Sequence, residues 1–235
     1  MALGVTNLAS TATTTDAVSF SLPSANYDAN TLILVHISNS AVAGSAANPT
    51  LAGLTGATWS TVETYAFNTS ASATQRNSVL RTMIGTSQNG AVITASFGGA
   101  TQTGFAGIVT LITGSATSGT NGSGAIAQST FLSTISATVS ITLPSVPAAA
   151  VMGFYTKGVN TSMGTPTGFT RTTDIGFATP AARAMAAFNL TPTQTWASTQ
   201  TAVADAVVIG MEFVAQSAGT TVIKGTRRLL AGVGI

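Results

Sequence analysis

The heptapeptide VSFSLPS at 18–24 returns as VSITLPS at 139–145, 121 positions later (139 − 18), in a chain of 235 residues. In both, apolar residues alternate with Ser or Thr and a proline follows. This is the pattern of a half-buried strand closed by a residue that cannot donate to a ladder. Pro23 and Pro144 are therefore expected to end equivalent strands. A near-copy at that separation asks for a unit of about half the chain, used twice.

The surrounding segments repeat in the same order. Period-two or wholly apolar runs bounded by turn signals occur at 17–22, 31–38 (TLILVHIS), 59–67 (WSTVETYAF), 78–84, 91–97 and 104–113 (GFAGIVTLIT). They recur at 138–143, 148–156 (AAAVMGFYT), 169–177 (FTRTTDIGF), 183–190 (RAMAAFNL), 195–201 and 204–216. Upstream of each set lies one more candidate strand, VTNLAST (5–11) and IAQSTFLS (126–133). Pro49 and Pro166 each precede a Gly and then an aromatic-bearing strand, the aromatic being Trp59 in the first set and Phe169 in the second. Helix-like composition is confined to short stretches such as PAARAMAAFN.

Each unit then holds about seven strands, enough for two sheets that bury their inner faces against one another. The expected fold is all-β: two tandem antiparallel β-sandwiches, jelly-roll or Ig-like, related by internal duplication. Residues 1–116 form the first, 117–217 the second, and 218–235 a C-terminal arm. SATSGTNGSG (115–124) reads as a flexible linker or exposed loop between them. The alternative is one large Ser/Thr-rich sandwich whose echo comes from a biased alphabet.

Only 6% of residues are charged, against about 25% in ordinary domains, so the surface must be neutral and rich in hydroxyls. A mean hydropathy of +0.42 with a net charge of +2 argues against disorder, and low self-repulsion suits a subunit that assembles. Without cysteine there is neither a disulfide framework nor a thiolate metal site. The longest apolar run, AVVIGMEFVA (206–215), is interrupted by Glu212 and falls short of the ~20 residues of a membrane helix. The first residues lack the basic and apolar regions of a secretory signal, so a soluble chain made in a cytoplasm is expected.

Chemistry is sparse. Asp16, Asp28, Glu63, Asp174, Asp205 and Glu212 are isolated in sequence, with Asp16 and Asp28 in turn-like contexts and Glu212 expected to point outward from its strand. His36 is the only histidine, lies in an apolar strand, and has no G-x-S-x-G elbow to serve. GSGAIA (122–127) lacks the strand–turn–helix context of a dinucleotide loop. We therefore expect no catalytic, cofactor-binding or metal-binding residues. Among the aromatics, Trp59 and Trp196 are the candidates for a ligand-facing platform, with burial as core anchors the competing fate. Three of the eight basic residues lie in the last eighteen positions, so the basic character belongs to the tail and predicts no nucleic-acid surface. Ile223, Lys224, Arg227, Arg228, Leu229 and Leu230 are the candidate docking residues of that arm on a neighbouring subunit.

The strand–Pro echo, the TLILVHIS and AVMGFYT strands, the PTGFT turn (166–170) and the closing strands GIVTLITG and VVIGMEFV together resemble phage virion proteins built from β-sandwich units. The first half departs from the turn pattern, having NPTLAGLTGATW. The resemblance implies a capsid decoration or minor capsid protein, or else a tail, fibre or receptor-binding module. It also implies other virion subunits as partners, homo-oligomerisation and a place in the virion after assembly in the host cytoplasm. It brings no catalytic residues. A carbohydrate-binding sandwich is the competing function.

Overall fold

A strand that is apolar at every position needs cover on both faces, and the four longest such runs sit inside two large sheets. The computed structural model describes residues 2–41, 46–70, 73–143, 150–178, 180–191 and 195–217. Its first large sheet contains β1 (Gly4–Thr13), β4 (Leu32–Ala41), β6 (Ser60–Ser70), β7 (Ala73–Met83) and β10 (Gly104–Thr113), in the antiparallel order β1-β10-β4-β7-β6. The second contains β11 (Ile126–Ile135), β13 (Ala150–Lys157), β14 (Thr170–Ala178), β15 (Ala181–Asn189) and β17 (Asp205–Phe213), ordered β11-β17-β13-β15-β14. In both halves the first strand is an edge, the last strand lies beside it, and the LILV-type strand is central. The two large sheets therefore share one strand order.

Short strands cover the outer face of each large sheet. In the first half these are β2 (Ser19–Ser21), β5 (Thr50–Ala52) and β9 (Thr94–Ser96), ordered β2-β9-β5, with β3 (Ala25–Tyr27) paired to β8 (Gln88–Ala91). In the second, β12 (Thr138–Thr142) pairs with β16 (Thr195–Thr199). The fold is thus all-β, with two antiparallel sandwich units.

Period-two alternation explains the layering. On β4, Ile33, Val35 and Ile37 face outward to Phe20, Leu22, Tyr27, Ile93 and Phe97, which makes the first sandwich core. Leu32 and Leu34 face the other way, where they meet Met152, Phe154, Ile209, Met211 and Phe213 of the second unit. On β13 and β17, Val151, Tyr155, Ala206 and Val208 pack outward on Val139, Ile141, Leu143 and Trp196, which makes the second sandwich core. The units are therefore stacked back to back through a third core between the large sheets. Alanines 182, 184 and 186 of β15 line that core, and Phe177 lies so close over Gly104 that a Cβ there would strike its ring.

The echo that opens the sequence reading occupies equivalent places. Phe20 and Leu22 point into the first sandwich core, and Ile141 and Leu143 into the second, on strands paired with β9 and β16. Pro144 lies outside the described residues. The turn that departs in sequence is nevertheless shared: Phe169 N–H donates to Pro166 O with Gly168 at φ 80, and Ala57 N–H donates to Leu54 O with Gly56 at φ 73. These are turns that need glycine at the third position. The strand register keeps the expected equivalence of Trp59 with Phe169: each stands one residue before an edge strand, β6 or β14, whose bulge follows its second residue. PAARAMAAFN, helix-like in composition, forms β15, because alternate Ala and Met residues fit between covered faces.

The segment expected to be a flexible linker or exposed loop is exposed at 117–120 and then makes a folded turn. Thr120–Ala125 forms a short 3₁₀ element with Asn121 and Gly122 at positive φ; Gly122 is packed on Leu32, and Ala125 is fully buried. Its ends are held by Ala116 N–H to Val214 O and Val214 N–H to Ala125 O. The chain thus leaves the first unit and closes the second at one place.

Candidate functional site

His36 is fully buried on the inner face of β4, in the core between the units. Asn77 of β7 fixes its state. The Asn77 amide nitrogen donates to Phe154 O (3.2 Å) and Val207 O (3.1 Å) of the second unit, which leaves Oδ1 as an acceptor 2.8 Å from His36 Nε2. Nε2 is therefore the protonated nitrogen, with Thr156 Oγ1 3.1 Å away as a second partner. Nδ1 is buried without a partner. Burial holds the imidazole down at about 3 from its usual 6.5, against the opposing effect of the Asn77 hydrogen bond. Fully buried, this histidine and Asn77 tie two sheets together.

A consequence is measurable. Because the folded pKa lies below the unfolded one, the contribution of His36 to stability is complete above about pH 6.5 and is lost as pH falls toward 3, at up to ~1.4 kcal/mol per pH unit. Urea unfolding between pH 7 and 4 is expected to show this slope, and His36→Leu should lack it.

Elsewhere two ion pairs gather on one carboxylate, Asp174. Asp174 accepts from Arg183 Nε (2.6 Å) and Arg171 Nη1 (3.2 Å), and Arg183 also reaches Asn160 Oδ1. Lys157, buried at the end of β13, donates to Thr161 Oγ1 and Ser162 O, and burial lowers its pKa. Glu212, expected to point outward, is 2% exposed and accepts from Gln128 on the neighbouring strand. Its strand is covered on both faces, so an outward direction does not exist there. Among the described residues no three His, Cys, Asp or Glu side chains come together to hold a metal, and no helix is long and apolar enough to cross a membrane.

The two candidate aromatics part company. Trp196 is 1% exposed, seated on Gly153 with Tyr155 and Phe169 edge-on to it, so it has no face to offer a ligand and acts as the anchor of the second core. Trp59 is half-buried against the first core and lines an open groove of about 340 Å³ with Pro49, Thr50, Thr58 and Leu80. That groove runs between β5 and β6, each the free edge of its sheet. The docking residues Ile223, Lys224, Arg227, Arg228, Leu229 and Leu230 lie outside the described residues.

One surface feature was not foreseen. Ile135 at the end of β11 is 71% exposed and Val203, before β17, 53% exposed. Ile135 pairs with Asp205, and Gln200 Nε2 bridges Ser136 O and Ala204 O, so both apolar side chains belong to one end of the second unit. The only signal in the sequence was an apolar residue placed where polar neighbours such as Ser136 and Thr201 mark a loop.

Comparison with protein-family models, with curated proteins and with solved structures found no match.

Proposed function

We propose that this chain is a non-enzymatic structural component of a bacteriophage particle, a capsid decoration or minor capsid protein built from a duplicated sandwich unit. The observation that carries the reading is that Ile135 and Val203, the two most exposed large apolar side chains among the described residues, lie at one end of the second unit. Apolar side chains exposed together cost little in a subunit that covers them on assembly. A hydroxyl-rich surface of low charge adds little repulsion between copies. The resemblance of the strand–Pro and PTGFT segments to virion sandwich proteins supports a phage setting, with other virion subunits and further copies of the chain as the proposed partners. A tail, fibre or receptor-binding module would use the same features.

Ile135→Asp with Val203→Asp is expected to abolish self-association in sedimentation analysis and incorporation into particles, while leaving the thermal midpoint within a few degrees of the parent. Unchanged association would remove the main support for the reading. The Trp59 groove favours the carbohydrate-binding alternative, since an indole beside several threonine hydroxyls suits a sugar. Saturable sugar binding on a glycan array, lost in Trp59→Ala, would select it.

A further inference from the structure

Of the eight basic residues, three lie beyond residue 217, which leaves five in the described body (8 − 3). Arg76 donates to Ala46 O and Thr64 Oγ1, Lys157 to Thr161 and Ser162, and Arg171 and Arg183 pair with Asp174. Arg81 alone has no hydrogen bond or ion pair among the described residues. Arg81 is half-buried and its guanidinium is open to solvent, so its N–H groups are available to a ligand.

Arg81 lies on β7 and lines a cleft of about 260 Å³ at the seam where β6 of the first unit meets β11 of the second. The other donors around it differ in what they are free to do. Ser129 Oγ is committed to Glu63 Oε1 at 2.8 Å, and the Gln128 amide to Glu212. The hydroxyls of Thr61 and Ser123, which also line the cleft, are engaged with no group among the described residues. Val62 and Ile126 supply an apolar wall. The cleft therefore presents one guanidinium and two hydroxyls, all able to donate, beside a small apolar surface. Burial lowers the pKa of Arg81, consistent with a guanidinium partly withdrawn from water.

We propose that this cleft is a carboxylate-binding site, with Arg81 as the charged donor, Thr61 and Ser123 as hydroxyl donors, and the apolar wall receiving the carbon next to the carboxylate. A planar carboxylate matches the guanidinium fork. Glu63 and Glu212 are held by Ser129 and Gln128 of the cleft wall and repel anions, more strongly a phosphate dianion than a singly charged carboxylate, which Arg81 must outweigh. The carboxylate comes either from a small free acid or from an Asp or Glu side chain of another protein. The proposal stands independently of the assembly reading.

The test follows the Arg81 Nε–H resonance of the full chain by NMR during titration with acetate, acetamide, inorganic phosphate and a blocked Gly-Asp-Gly peptide. Acetate and the peptide are expected to shift it saturably, with acetamide and phosphate at least tenfold weaker. A peptide at least tenfold tighter than acetate identifies a protein-borne carboxylate as the ligand; comparable affinities identify a free acid. Because the Arg81 signal is absent from its own variants, Arg81→Gln and Arg81→Lys are followed at the backbone amides of Thr61 and Ser123. Arg81→Gln should lose the response and Arg81→Lys should retain it at reduced affinity, which separates loss of charge from loss of fold. No saturable shift with either carboxylate, an equal response to acetamide, or an undiminished response in Arg81→Gln would overturn the proposal.

Discussion

Asn77→Ala is expected to destabilise the protein by about 3 kcal/mol, because it removes three buried hydrogen bonds between the units at roughly 1 kcal/mol each and leaves His36 Nε2 with Thr156 Oγ1 alone. The substitution removes the donor to Phe154 O and Val207 O and the acceptor for His36 Nε2. All three lie between the units, so the loss should appear as weaker attachment of one sandwich to the other. Urea unfolding measures the total. His36→Leu combined with Asn77→Ala should cost less than the sum of the single changes, since the bond the two share is then lost only once. Additive costs would show that the two side chains act separately.

Trp196→Ala is expected to cost a similar ~3–5 kcal/mol, through lost burial and the cavity left behind. The indole is the largest fully buried side chain, and it lies on Gly153, where a Cβ would meet the ring. Gly153→Val should therefore destabilise from the other side of the same contact, by overpacking at about 1–3 kcal/mol. Thermal unfolding followed by circular dichroism checks both, and a midpoint unchanged in either would show that this contact does not anchor the second core.

The alternation in VSFSLPS and VSITLPS was enough to place Phe20, Leu22, Ile141 and Leu143 inward, because a period of two allows only one face to be apolar. The wholly apolar runs at 32–37 and 206–211 signalled cover on both faces. They carried no information on what the second cover would be, since Leu32 and Ile33 look alike in sequence and only folding assigns them to different cores. For the same reason Glu212 was misplaced: a lone carboxylate in an apolar strand reads as solvent-facing until a partner such as Gln128 is found 84 residues away. The strands β3 and β5 escaped because three residues carry too little pattern, and the 115–124 turn because Gly and Ser mark both loose linkers and tight turns. The Arg81 cleft is formed by residues from both units, so no local segment contains its signature. Trp59 was legible as a candidate only because tryptophan is rare in the chain.

The central claim is that the two sandwiches, joined by the core of Leu32, Leu34, Met152, Phe154 and Phe213, unfold as one body. Trp196→Ala leaves Trp59 as the only tryptophan, so its fluorescence reports the first unit while the damage lies in the second. The direct measurement is urea unfolding of this variant followed by Trp59 fluorescence and by circular dichroism. The account predicts coincident transitions, both at a lower midpoint than in the parent chain. A Trp59 transition that stays at the parent midpoint, while circular dichroism records earlier loss of the second sandwich, would contradict it.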